Sequence, residues 1–153
     1  MAHCMKGLFR PINPSKYKGN TTQIIYRSSW ELKMMASLDT DPKVIQWSSE
    51  EVRVGYRSKV DGRTHTYFPD FWIKTKNKTI LAEVKPKIQT LPPQQPKRIT
   101  KKYVNEVLTY AKNISKWEAA TEYAKGRGWV FQILTEHDLG IKHGKKKNAK
   151  ILV

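Results

Sequence analysis

The chain has 153 residues, the size of a single domain, and its 39% hydrophobic and 10% aromatic content is that of a folded protein, not a disordered one. Lysine and arginine number 29 against 13 acidic residues, a formal charge of +16, which points to a polyanionic partner held by salt-sensitive contacts. No run of 18 apolar residues and no basic amphipathic helix with a long apolar face occurs, so the reading is no membrane span and nucleic acid rather than an anionic membrane. A lone cysteine, Cys4, permits no intrachain disulfide; with no signal-type apolar segment at the start, an intracellular protein is expected, with Cys4 an incidental thiol.

Residues 1–22 are polar and basic, carry Pro11, Pro14 and Gly19, and read as an irregular arm. A helix is predicted from about Ser28 to Leu38, ended by Asp39, Asp41 and Pro42. Residues 43–50 read as a connection. Val52, Val54 and Tyr56 alternate with charged or small residues, as in a half-buried strand. Asp61-Gly62 predicts a two-residue hairpin turn into a second strand, about Arg63 to Thr75, bent near Pro69. Asn77-Lys78 predicts another such turn, and Thr79 to Lys85 a third strand. Residues 86–99, with four prolines, form a loop. From Thr100, Tyr103, Val104, Val107, Leu108 and Ala111 keep helical spacing, and Ser115 with Glu118 suggests that a new helix restarts there. Gly126 and Gly128 stop it, and Trp129 to Leu134 fits a buried strand. Thr135 with Asp138 caps a last short turn, and a basic, mobile tail follows over 141–153. The order is α-β-β-β-α-β, with one domain over residues 23–140.

Three residues of this pattern carry chemistry. With Asn77-Lys78 as the loop, Trp72 faces Glu83 and Asp70 faces Lys85, and directly opposed residues share a face of a sheet. Asp70, Glu83 and Lys85 then project to one side. Phe71, Ile73, Ala82 and Val84 project to the other, and the Asp61-Gly62 hairpin adds Val52, Val54, Tyr56 and Tyr67 to that apolar side. Two acids can hold a hard divalent cation such as Mg²⁺, with Mn²⁺ as a substitute; the cation polarises a phosphodiester and activates water, and a lysine steadies the developing charge. Glu31 falls within the apolar stripe of the first helix, Trp30, Met34, Met35 and Leu38. There it either meets a metal or a lysine, or it is the capping-box partner of Ser28.

Pro69-Asp70, Glu83-Val84-Lys85 and the upstream Ser29-Trp30-Glu31 resemble the motifs of the PD-(D/E)xK nuclease superfamily. Within it, Tyr26 to Glu31, Phe68 to Phe71, Glu83 to Pro86 and Phe131 to Glu136 are most similar to TnsA-type transposon endonucleases and to the head completion nucleases of T-even bacteriophages. The resemblance spans about residues 24–139. It implies an α/β, restriction-endonuclease-like core, a mixed sheet with an antiparallel meander flanked by helices. It also implies that Glu31, Asp70 and Glu83 bind metal and that Lys85 is catalytic. The implied activity is Mg²⁺-dependent hydrolysis of double-stranded DNA in virion assembly, at the portal and neck of a phage head formed in the bacterial host cytoplasm. The rival readings are a non-enzymatic plug on DNA or portal and a TnsA-like transposition or restriction endonuclease.

Other residues are weighed by parity and spacing. Arg53 and Arg57 fall on the acid face, near a passing DNA backbone, and Lys101, Lys102, Lys112 and Lys116 offer phosphate contacts or a solvated helix face. His65 reads as structural, Gln132 as a strand polar group, and Trp72 as the one tryptophan able to touch substrate. His3, His137 and His143 form no ligand pattern, and no zinc spacing or glycine-rich phosphate loop occurs.

Overall fold

The computed structural model describes residues 5–142, 145 and 146. Cys4, His3, His143 and most of the basic tail lie outside the described residues. In chain order the elements are β1 (Gly7–Leu8), β2 (Ile25–Tyr26), α1 (Ser29–Thr40), β3 (Val44–Ser49), β4 (Val54–Arg57), β5 (Thr64–Tyr67), β6 (Phe71–Thr75), β7 (Thr79–Val84), α2 (Lys101–Gly126), β8 (Val130–Leu134), β9 (Ile141–Lys142) and β10 (Lys145–Lys146). The fold is α/β with a mixed sheet between helices, as the resemblance implies.

Helix α1 starts where the sequence places it: the Ser28 hydroxyl accepts the Glu31 N–H at 3.1 Å. Its stripe of Trp30, Met34, Met35 and Leu38 is buried. The stretch read as a connection, residues 43–50, holds strand β3. A register shift between Val44 and Gln46 breaks the strict alternation that reveals a strand in sequence. The single long strand expected over 63–75 is two. Pro69 is buried between them and cannot donate to a ladder, so β5 pairs only with β4 and β6 joins a different sheet. Both turns sit elsewhere than expected. Thr75 N–H donates to Lys78 O at 2.9 Å, so Lys76 and Asn77 form the second turn; Ser58 N–H donates to Arg63 O at 2.9 Å, so the first loop spans Lys59 to Gly62. Gly62 there takes φ 70°, a left-handed conformation suited to glycine. Each correction moves the pairing by two residues, so the parity of the side chains is unchanged.

Helix α2 does not restart at Ser115. That hydroxyl donates to Ala111 O at 3.1 Å, one turn back within a continuous helix, and accepts the Lys59 N–H at 3.1 Å. Thr100 caps the start by accepting Tyr103 N–H at 3.1 Å. Thr135 N–H meets Asp138 Oδ2 at 2.8 Å, as its spacing predicts.

The main sheet has the order β3-β6-β7-β8, antiparallel except for the parallel β7–β8 pair that α2 connects. On one face, α1 packs Met34, Met35 and Leu38 against Trp47, Phe71, Ile73, Ile80 and Ala82. On the other, Trp72 and Leu81 meet Trp117, Ala120 and Ala124 of α2 and Val54, Tyr56 and Tyr67 of the β4–β5 hairpin. This corrects the two-face reading. The hairpin's apolar residues lie on the acid face, because the break at Pro69 lets the ribbon fold over it.

The arm is tied to the domain as well. β1 pairs with β2, Tyr17 packs edge-on to Trp47 at 4.8 Å, and the buried Asp39 carboxylate accepts N–H groups of Ile12 at 2.7 Å and Asn13 at 3.1 Å. At the far end, Ile141–Lys142 pairs with Lys145–Lys146 in a short antiparallel ribbon. Helix α2 is roughly 39 Å long, about twice the length of β7. Its buried residues begin only at Asn113, so its first turns overhang the sheet beyond the C-terminal end of β7.

Candidate active site at the end of β6 and β7

The β6–β7 register pairs Phe71 with Ala82; continued by one residue, it sets Asp70 directly opposite Glu83. The expected partners were Trp72 for Glu83 and Lys85 for Asp70. The two-residue turn correction brings the acids closer together than that. The Val84 N–H donates to Asp70 Oδ2 at 2.8 Å, and Glu50 N–H donates to Asp70 O at 3.1 Å. Glu50 holds this contact at φ 55°, a sparsely populated conformation for a residue with a side chain.

Glu83 is buried at 7% exposure, and the Tyr67 hydroxyl donates to its Oε2. Lys85 Nζ stands 3.9 Å from Glu83 Oε1. Its strand position is set by its own N–H, which extends the β7–β8 ladder to Leu134 O at 2.9 Å. Beyond it, Glu136 accepts the Lys87 N–H at 3.0 Å and fixes the chain's exit. Lys116, from α2, places its ammonium 5.5 Å over the Tyr67 ring. The ends of two strands, one helix and the hairpin thus converge on two carboxyls and two ammonium groups.

Desolvation dominates the electrostatics here. Burial holds the Asp70 carboxyl well above the usual carboxylate range, and Glu83 and, less strongly, Glu31 push the same way against the Val84 N–H. Burial also raises Glu83, opposed by the Tyr67 hydroxyl, Lys85 and Lys116. Burial and the charge of Glu83 raise Tyr67, which keeps its proton and remains a donor. Lys116 is lowered by burial and by Lys112, while Glu83 and Asp70 act to keep it charged.

Glu31 stands apart from this pair. Its N–H donates to the Ser28 hydroxyl as the capping-box reading expects, but its carboxylate accepts the Arg27 N–H at 3.0 Å, one residue before the cap, while its charge still reaches Asp70. Burial raises its carboxyl, with Glu50 adding to the shift. Among the described residues no group of three or more His, Cys, Asp or Glu side chains is placed to hold a metal. The oxygen donors gathered by the fold are therefore a pair. That pair still fits a hard cation. Its donors are both oxygen, it is desolvated, and two neighbouring carboxylates resist joint ionisation without a positive charge. Mg²⁺ in particular keeps several waters and takes one or two carboxylates.

The DNA-contact candidates divide. Lys116 faces the acid pair, and Lys112, one turn back and exposed, bears on it only as a neighbouring like charge. Lys101 and Lys102 are exposed on the overhanging turns, Lys102 3.8 Å from Glu106. Arg57 projects from the hairpin face opposite Val54 and Tyr56, away from the acid pair, whereas Arg53, just before β4, turns toward Trp72. Arg57 Nε bonds Gly62 O at 3.0 Å, and Arg53 lies 5.8 Å over the Phe68 ring. His65 is structural as read, stacked on Tyr56 and 2.7 Å from Asp61. Gln132 pairs with Ala82, on the face away from Glu83. Tyr67 and Glu50 escaped the sequence reading. Strand parity alone gives no sign that a hairpin folds over the sheet and aims a tyrosine at an acid.

Paired acids and a lysine thus stand at the end of an antiparallel hairpin, in a mixed sheet between helices. A family model described as TnsA-like endonuclease N terminal matches residues 41–136, and the chain belongs to that family. It is 39% identical over 138 residues to the head completion nuclease of Enterobacteria phage T4, covering 87% of this chain and 92% of that protein. No solved structure matched.

Proposed function

We propose that this protein is a divalent-metal-dependent deoxyribonuclease that processes DNA ends during phage head completion. The observation that carries the chemistry is Asp70 opposite Glu83, with Lys85 3.9 Å from Glu83 on the same face. The +16 charge supports a DNA substrate, and similarity to a head completion nuclease supports the setting. Portal or neck proteins are the partners this setting proposes.

Asp70 and Glu83 would hold the metal, and Glu31 adds negative charge beside them. A bound Mg²⁺ supplies Lewis-acid polarisation of the phosphate and a water of lowered pKa. The remaining work falls to side chains. The Tyr67 hydroxyl fixes one oxygen of Glu83 and leaves the other facing Lys85. The Val84 N–H fixes Asp70 in the same way. Lys85 stabilises the charge that develops on the scissile phosphate, and Lys116 offers a second ammonium to its neighbour. The overhanging Lys101, Lys102 and Lys112 position the DNA backbone.

The test is Asp70→Asn. The account predicts loss of Mg²⁺-dependent cleavage with duplex binding and folding retained. Undiminished cleavage by a verified pure variant refutes it.

A further inference from the structure

Next to the acid pair, on the same side of the sheet, lies a second concavity of about 400 Å³. It belongs to none of the residues assigned to catalysis. Its walls are rings: Trp72 and Trp129 meet edge to face with centroids 6.2 Å apart, and Tyr123 lies 6.2 Å from Trp129 at 58°. Its rim is cationic. Lys18 Nζ sits 4.7 Å over the Trp72 ring, and Arg127 stacks on Tyr123 at 3.6 Å. Glu51 and Ser48 add hydrogen-bonding groups, and Val52 an apolar one, to the aromatic and basic residues of the lining.

The cleft connects with the catalytic end through named residues. Trp72 is two residues along β6 from Asp70 and on the same face, a separation of about 7 Å. Arg53 lines the cleft and also covers Phe68, an exposed aromatic (42%) two residues before Asp70. Rings at two sites with cations between them form the arrangement by which proteins take single-stranded nucleic acid, bases on rings and phosphates on ammonium or guanidinium groups. A duplex hides its base faces by stacking, so angled ring walls serve only a base that has left the helix.

We propose that this cleft seats an unpaired nucleobase of single-stranded DNA, with Lys18, Arg53 and Arg127 taking the flanking phosphates. The inference deepens the nuclease reading and rests on it for one point, the direction of the strand toward Asp70. It makes the favoured substrate a DNA end with unpaired nucleotides rather than an uninterrupted duplex.

The experiment is equilibrium binding in EDTA, where no cleavage occurs. A labelled deoxythymidine hexanucleotide is compared with an abasic deoxyribose-phosphate chain of the same length, with tryptophan fluorescence followed in parallel. The base-bearing strand is expected to bind about tenfold more tightly and to quench the tryptophans, the scale of one lost aromatic stack. Trp129→Leu should bring its affinity down to the abasic level, and Trp129→Phe should retain most of it. Equal affinity of the two strands for the wild type overturns the proposal, as does a folded Trp129→Leu that binds like wild type. Should Trp129→Leu not fold, the wild-type comparison and its quenching decide alone. Base preference without Mg²⁺-dependent cleavage would refute the nuclease reading and leave the cleft standing. Cleavage without base preference would do the reverse.

Discussion

The Tyr67–Glu83 contact gives the sharpest energetic test of the site. Both residues are buried, at 5% and 7% exposure, and the tyrosine ring packs with Val54, Trp72 and Trp117. Tyr67→Phe therefore keeps the ring and deletes one donor to a desolvated carboxyl. A hydrogen bond to a charged group contributes about 1.5–3 kcal/mol. For a chain of this size each kcal/mol moves the melting temperature by roughly 2–4 °C, so a fall of about 3–12 °C is expected. Glu83→Gln removes the charge but keeps an acceptor, so the two changes share one interaction and should not add. Urea denaturation of wild type, both single variants and the double variant, all in EDTA, closes the cycle. The expected coupling is about 1 kcal/mol or more, weaker at low pH where Glu83 is protonated. Additivity within about 0.3 kcal/mol would mean that the hydroxyl and the carboxyl are not partners, and the site as described would be wrong.

Asp70→Asn should stabilise the metal-free protein while removing cleavage. It relieves a desolvated like-charge pair and keeps an oxygen for the Val84 N–H. A gain of about 0.5–2 kcal/mol in EDTA is expected from urea curves, and a loss of similar size would contradict this origin of the raised Asp70 carboxyl. The acids of the metal-free fold bind protons more tightly than in the unfolded chain, so their contribution is fully present below the ordinary carboxylate range. It is lost as pH rises through their raised values, and melting temperatures across that window in EDTA should fall. An acid pair without this slope would be ionised at ordinary pH. Lys101→Gln with Lys102→Gln should weaken duplex binding without changing sequence preference and should lower the salt slope by up to about two units; an unchanged slope removes both from the DNA path.

The grouping of Asp70, Glu83 and Lys85 was legible in sequence for a specific reason. Both hairpin turns lie elsewhere than the Asn77-Lys78 and Asp61-Gly62 dipeptides suggest, yet each shift is two residues, and side-chain parity has period two. Asp70, Glu83 and Lys85 therefore stay together under the error. Strand β3 was not legible, because the irregularity at Val44–Gln46 erases its alternation. The side taken by the β4–β5 hairpin was not legible either. It depends on the chain breaking at Pro69 and on the apolar cover that Trp72 and Leu81 require, a tertiary demand with no local trace. Arg57 moved off the acid face, and Tyr67 onto it, by that one event. Lys116 sits between these cases: its spacing marks it only as a helix lysine, and the packing of α2 on the sheet decides that it faces Glu83.

Cation capture by Asp70 and Glu83 is the claim on which the chemistry stands, and a Mn²⁺-soaked crystal of the wild-type protein tests it directly. The account predicts an anomalous peak bonded to carboxylate oxygens of both residues, absent from Asp70→Asn crystals treated alike. No peak at that position under saturating Mn²⁺, or a peak held by other residues, would contradict it.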